Sequence, residues 1–391
     1  MKIRKAYKFR LKPTTPQQSL LTKFAGHTRF LWNKALSLNL ARLKQKQRIL
    51  YYQELNFWSL LWKQSDEYGF LKECPAHILQ QKLRDLERAF KDAFDKKQRH
   101  KRLPVLKKRG NDSFRFPAPK QIQLEHQHMT FPKLGRMRFY RSQAIVGDIR
   151  NYTLSYERQH WYVSVQVEQE LMIPPVHANT SAIGIDLGVK HFLTTSNGEQ
   201  IAPVNSFKQL AHQLAIKQRR LSKKKKFSRH WQKASRKVNK LHTKIANIRK
   251  DFQHKLSTTL CKNHAMIVVE ELKIKNMSRS AKGSLEAPGK KVRAKSGLNK
   301  SILDQGWSEF KRQLAYKATW LGGLLIEVSP KHTSQQCAKC GYIDKQNRLT
   351  QENFACMKCH HSDHADRNAA KNILAAGHAV LACGASAIAQ H

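Results

Sequence analysis

Two Cys-x2-Cys pairs near the C-terminus, Cys337/Cys340 and Cys356/Cys359, constrain this chain more than any other stretch. Each pair presents two thiolates toward one point. Four thiolates around one ion make a closed tetrahedral structural zinc site. Fifteen residues separate the pairs, and Gly341 suits the turn after the first. The alternative is two disulfides or four free thiols. His360, His361 and His364 crowd the second pair, but four thiolates already fill the site. A closed site is structural, so no catalysis is assigned to this zinc.

Lys and Arg number 73 against 27 acids, a net charge of +46. An excess of this size points to a polyanion, and nucleic acid is the commonest one. No apolar run reaches the ~18 residues that span a bilayer. The N-terminus, Met1-Lys2-Ile3-Arg4-Lys5, has no apolar signal-peptide region. A cytoplasmic protein without a membrane partner or a small-molecule substrate is expected. Cys74, Cys261 and Cys383 then read as buried or inert thiols.

Residues 3–11 alternate basic and apolar positions and read as a strand, ended by Pro13. Thr15-Pro16-Gln17-Gln18 reads as a helix start with Thr15 as cap. Leu21, Phe24, Ala25, Thr28, Leu31, Trp32 and Ala35 then share one helical face. Two more helical stretches carry Phe57, Leu60 and Leu61, and Leu79, Leu83, Leu86, Phe90 and Phe94. Their aromatics are expected in a core. The third runs into Lys96, Lys97, Arg99, Lys101, Arg102, Lys107, Lys108 and Arg109, with no acid between Asp95 and Asp112. That run is assigned to phosphate contacts. Short strands follow to Val167, with a hairpin turning at Arg158-Gln159-His160, and suggest a small β-barrel that includes the first strand. Pro174-Pro175 opens a linker.

Gly184-Ile185-Asp186-Leu187-Gly188 places an acid inside an apolar strand, where it is costly unless partnered. Phe192 to Ser196 and the Asn197-Gly198 turn make a hairpin after it. A strand-end turn hydrogen bond is the plain alternative for Asp186. No Asp or Glu occurs from Gln200 to Lys250, while Lys223, Lys224, Lys225 and Lys226 are consecutive. A basic helical arm along a nucleic-acid backbone is expected there. Met266 to Glu270 is an apolar strand ending in an acid. Lys273 to Lys300 reads as a mobile loop or lid, followed by a helix around 303–320 and a buried strand, 324–328. Asp366 opens a helix with Ala369, Ala370, Ile373 and Leu374 on its apolar side, and an N-cap is its plain alternative. Three carboxylates, Asp186, Glu270 and Asp366, converging in a basic protein would bind two divalent metals, with Mg²⁺ expected, and hydrolyse a phosphodiester.

The chain resembles the TnpB family of bacterial insertion sequences, relatives of the type V CRISPR nucleases. The resemblance runs from the N-terminal strand and Pro-Thr-Thr-Pro-Gln-Gln through Ser113-Phe114-Arg115-Phe116-Pro117, Gly184-Ile185-Asp186-Leu187-Gly188 and Val269-Glu270-Glu271-Leu272. It ends with Thr333-Ser334-Gln335-Gln336-Cys337, the zinc cysteines and Asp366-Arg367-Asn368-Ala369-Ala370. It implies a multi-domain α/β protein. A β-barrel (1–13 and 114–178) holds an inserted helical domain (14–113). An RNase H-like, RuvC-type domain (179–332 and 361–382) holds a zinc ribbon (333–360), and a tail (383–391) follows. It further implies an RNA-guided DNA endonuclease, nucleoid-associated, using Asp186, Glu270 and Asp366. Its partners would be a guide RNA from the transposon end and double-stranded target DNA beside a short motif. The alternatives are a guide-dependent DNA-binding regulator without cleavage and a conventional transposase. The register with Asn368 favours Asp366 over Asp363. His360 departs from the family, which often has Gly after the last cysteine.

Overall fold

The computed structural model describes residues 1–382 and Gly384, apart from Arg99, Asn111, Arg158, Ile173, Pro175 and Leu349. Arg99 of the basic run, Arg158 of the expected turn, Pro175 of the expected linker, Cys383 and the rest of the expected tail beyond Gly384 therefore lie outside the described residues. The chain divides into two compact units, Met1–Leu171 and Met172–His391.

In the first unit, alternation along the strand Lys2–Lys12 turns Ile3, Tyr7, Phe9 and Leu11 inward. This strand pairs antiparallel with His160–Glu170 over most of its length and with Gly135–Phe139 at Leu11 and Lys12. The first strand of the chain thus lies in the middle of a seven-stranded sheet. The end strands, Ser113–Phe116 and Gln123–Leu124, are not joined by any ladder among the described residues. By its hydrogen bonds the sheet is open at its two end strands among the described residues. Helices Thr15–Lys44, Tyr52–Gln64 and Ala76–Phe94 contribute to the same hydrophobic core as the sheet. Phe24, for example, meets Phe114 edge-on at 6.3 Å. Helices and sheet therefore share one core.

Three local expectations need correction here. The cap of the first helix is Thr14, one residue earlier than expected. Its hydroxyl accepts from Gln17 N–H, and the Gln17 side chain accepts from Thr14 N–H. The second helix buries Leu55 and Ser59, while Phe57, Leu60 and Leu61 face solvent. Three apolar positions at helical spacing define a face, but not which side meets the core. Phe94, at the end of the third helix, is also exposed, its ring stacked along Phe90.

The second unit is a mixed five-stranded sheet. Its order is Gln200–Ile201, Leu193–Thr195, Ala182–Asp186, Met266–Glu270, Leu324–Val328. The first three strands run antiparallel; the last three run parallel. Ile183, Ile185, Ile267 and Val269 face one side, beneath residues of helices Arg229–Asn263 and Trp307–Trp320. Met266, Val268, Ile326 and Val328 face the other, where Ile373 of helix Ala365–Ala382 packs. The arrangement is a three-layer α/β/α sandwich.

Helix Ser206–Ser222 packs on the first part of Arg229–Asn263 through Leu214, Val238, Leu241 and Ile245. The two make a helical hairpin where a basic helical arm was expected. The 273–300 stretch is more ordered than a loop. It holds a short helix, Ile274–Met277, and the start of helix Val292–Gln305. Lys295 Nζ and Asn299 Nδ2 donate to the carbonyls of Met277 and Ser278, folding it back on itself. The expected 303–320 helix is split at Gly306 (φ 68°), where Gln253 Nε2 donates to the carbonyls of both Gln305 and Gly306.

Candidate active site

Strand alternation decides where the first two acids go. Gly184 and Asp186 share a face, as do Val268 and Glu270, and it is the face under helix Ala365–Ala382. The parallel ladder pairs Gly184 with Val268 and Ile185 with Val269, so the next step sets Glu270 beside Asp186. Both acids stand at the carboxyl ends of adjacent parallel strands. The helix reaches them because Gly184 lets backbone approach backbone and Gly377 leaves room for the Val268 side chain. A Cβ on Gly184 would lie 2.1 Å from Ala370 O, and one on Gly377 2.4 Å from Val268 Cγ2. Asp366 is the second residue of that helix rather than its cap. Its carboxylate is spent on Arg348, whose Nη2 donates to Oδ1 at 3.0 Å.

Asp186 feels the other two acids. Burial, then the charges of Glu270 and Asp366, push the Asp186 pKa up to about 7, against the opposing pull of Arg348 and of Leu187 N–H. Burial also raises Glu270, offset by the hydroxyl of Thr333, which donates to Oε1 at 2.5 Å, and by Arg348. Carboxylate oxygens buried with little positive charge beside them are hard donors of the kind a divalent cation takes, while among the described residues the four cysteines are the group whose ligand atoms all lie within 4.8 Å of one another. Asp363 stands apart: Lys371 Nζ donates to it at 2.7 Å, and Arg367 and His361 lie at 3.9 Å.

The four cysteines meet as their spacing requires. Their sulfurs all lie within 4.8 Å of one another, with 3.6 Å between Cys337 and Cys359 and between Cys340 and Cys356. None forms a disulfide. The two knuckles are alike: Gly341 N–H donates to Cys337 O, and His360 N–H to Cys356 O. Both residues are left-handed, with φ of 75° and 54°. His360 thus adopts a backbone that glycine would take without strain. Two asparagines lock this element to the acid-bearing helix. Asn368 accepts from Ala338 N–H and donates to Gln336 O; Asn372, one turn on, donates to Thr333 O and Gln336 O.

Comparison with known proteins places this arrangement. The profile described as "Probable transposase" matches residues 160–281, and "Cas12f1-like, TNB domain" matches 307–373. A "Helix-turn-helix domain" profile matches residues 1–48, which here form one strand and one 30-residue helix. The Escherichia coli (strain K12) protein "Putative RNA-guided DNA endonuclease InsQ" is 48% identical over 385 residues, covering 98% of this chain and 95% of that one. A Streptomyces pristinaespiralis protein of the same description is 32% identical over 388 residues, 98% and 91% of the two chains. The chain belongs to the TnpB family of RNA-guided DNA endonucleases. A 71-residue segment is also 41% identical to the CRISPR-associated endodeoxyribonuclease Cas12f1 of Sulfoacidibacillus thermotolerans, 18% of this chain and 17% of that one.

Within this TnpB chain, the basic candidates fall into two groups. Lys96, Lys97, Lys101, Arg102, Lys108 and Arg109 are exposed in the first unit. They lie on a segment pinned to the first helix: Trp32 Nε1 donates to Val105 O, and Asn33 exchanges hydrogen bonds with the Lys107 backbone. Lys107 itself is turned inward, its ammonium 3.6 Å over the Trp32 ring, and burial lowers its pKa. Lys101 is paired with Asp92 at 3.6 Å. Lys223, Lys224, Lys225 and Lys226 form the exposed turn of the helical hairpin in the second unit. Sequence reasoning passed over Arg348, a lone arginine between the cysteine pairs, and gave Thr333 no role. The four-residue spacing of Asn368 and Asn372 on one helix face was a readable signal.

Proposed function

We propose that this protein is an RNA-guided DNA endonuclease whose phosphodiester hydrolysis uses Asp186, Glu270 and Asp366. The strand order of the second unit supports an RNase H-like reading of it: an antiparallel hairpin sheet extended by two parallel strands, with acids at the carboxyl ends of the two central ones. The observation that supports the proposal most is geometric: the parallel ladder sets Glu270 beside Asp186 on the face under the helix that carries Asp366, and the charges of both act on Asp186. The names of the relatives supply the partners, a guide RNA and a DNA substrate. Base pairing would read sequence, while protein cations hold the backbones.

A divalent metal, Mg²⁺ by its preference for hard oxygen donors, would be held by the three carboxylates and supply water activation and leaving-group stabilisation. The chain's own residues prepare the centre. Thr333 fixes the orientation of Glu270. Arg348 holds Asp366, opposes the burial-driven rise in the pKa of Asp186 and Glu270, and is placed to offset charge on a bound phosphate. Zinc on Cys337, Cys340, Cys356 and Cys359 would hold the ribbon from which Arg348 projects, with no part in the chemistry. The exposed cations at 96–109 and 223–226 would contact nucleic-acid backbone.

The test is to express the protein from its own locus, purify it and sequence the RNA bound to it. One abundant RNA of defined ends, reaching past the element boundary, is expected. A smear of cellular RNA, with strand transfer of end oligonucleotides in its absence, would move the assignment to a conventional transposase.

A further inference from the structure

The turn of the helical hairpin carries a feature that phosphate binding does not explain. Phe227 follows the four lysines and is 70% exposed. Its φ is 69°, the left-handed region, which a bulky residue adopts only when its surroundings impose it. The surroundings do so. Ser228 N–H donates to Lys225 O, the Ser228 hydroxyl caps Trp231 N–H, and Gln232 Nε2 reaches back to Phe227 O at 3.1 Å. The result holds an apolar ring outward on a firm turn. Trp231 lies beside it with ring centroids 5.6 Å apart, and Lys226 Nζ is 5.3 Å from the Phe227 ring.

The charge around these rings is one-sided. No acid occurs between Gln200 and Lys250, and among the described cations of that stretch only Arg249 makes an ion pair, with Asp304. A solvated tip gains nothing from an exposed phenylalanine in a strained backbone. A protein partner would have to bring its own dense negative charge. Aromatic faces interleaved with unpaired lysines are what a nucleic-acid strand needs: phosphates against the ammonium groups, and a base against the ring.

We propose that Phe227, supported by Trp231, is a base-stacking site that takes an unpaired nucleobase or a terminal base pair, with Lys223, Lys224, Lys225 and Lys226 holding the flanking phosphates. The proposal rests on the nucleic-acid reading of the protein but not on cleavage. RNA and DNA offer the same stacking chemistry, and the experiment separates them.

The full-length protein is bound to 5-iodouracil-substituted oligo(U) RNA or oligo(dU) DNA, irradiated, and its cross-linked peptides are mapped by mass spectrometry. Cross-links at Phe227 or Trp231 in either arm are expected, and the stronger arm names the strand. Cross-links elsewhere with none in 227–231 overturn the proposal. A paired titration uses Phe227→Gly, which suits the left-handed backbone and so preserves the fold, and Phe227→Trp. Phe227→Gly is expected to weaken oligonucleotide binding about fivefold or more with an unchanged salt slope, and Phe227→Trp to restore it. Equal affinity for all three proteins overturns the proposal. So does a concentration-dependent oligomer that Phe227→Gly abolishes, which would make the tip a protein contact. None of these readouts needs the acids, so loss of the nuclease assignment would leave this result standing.

Discussion

Arg348 Nη2 donates to Asp366 Oδ1 at 3.0 Å, joining a residue between the two cysteine pairs to the acid that opens the final helix. The same guanidinium also donates to Gln351 O and lowers the pKa of both Asp186 and Glu270. The four-cysteine element is thereby wired into the electrostatics of the proposed nuclease centre, although a zinc ion held there would take no chemical part.

Replacing Arg348 with Ala removes a charge-assisted hydrogen bond to Asp366 and a cation that pulls down the pKa of Asp186 and Glu270. Guided cleavage should fall about 10- to 100-fold, as expected for a bond of this kind. Because Arg348 holds the carboxyl pKa values down, the acid limb of the pH–rate profile should move to higher pH. Arg348→Lys should recover part of both effects. A rate loss with no movement of the pH profile would mean that Arg348 acts only on folding or binding.

Asp186 should make metal-free stability depend on pH. Its folded pKa, about 7, is above the ordinary 3.8. Below the ordinary value both folded and unfolded states are protonated, and the group costs nothing. As pH rises toward 7 the unfolded chain ionises first, so stability falls, and above 7 the full cost is present. In Mg²⁺-free buffer, Asp186→Asn should therefore be more stable than the parent at pH 8.5, with a smaller gap at pH 5.5. Added Mg²⁺ should stabilise the parent at pH 8.5 and leave the variant unmoved. Thermal melts at the two pH values check this, and a gap that does not change with pH contradicts it.

Gly184→Ala should be severe for so small a change. Its Cβ would sit 2.1 Å from a backbone carbonyl, which has no rotamer to escape into. The expected cost is about 3 kcal/mol or more, at the upper end of overpacking effects, read by denaturant titration. Loss of less than about 1 kcal/mol would mean the helix is not seated on the strand in this way.

Cys337→Ser should lose zinc and solubility before it affects chemistry selectively. Metal analysis and circular dichroism of the purified variant measure both. Normal zinc content in a well-folded variant would remove the four-cysteine site.

Much of the second unit was legible because its signals are local. Met266 to Glu270 and Leu324 to Val328 are apolar runs too short for helices, and a Cys-x2-Cys pair carries its geometry in its spacing. The acids were legible as costly residues in apolar surroundings. What joins them was not. Arg348 is one arginine among many in this basic chain, and its contact with Asp366 depends on how the ribbon folds back. The outward face of the second helix was misjudged for a related reason: Phe57, Leu60 and Leu61 share a stripe, but Leu55 faces the core. The helix split at Gly306 follows from a glycine whose left-handed backbone no periodicity reveals.

Guided cleavage by the purified protein–RNA complex tests the central claim most directly. A plasmid carrying the guide-matched sequence beside its adjacent motif is incubated with Mg²⁺ and either the parent complex or one built with Asp186→Ala, matched for bound RNA and zinc. The parent should cut the plasmid, and the variant should bind it without cutting. Equal cleavage by both complexes would contradict the assignment of Asp186, Glu270 and Asp366 as the hydrolytic centre.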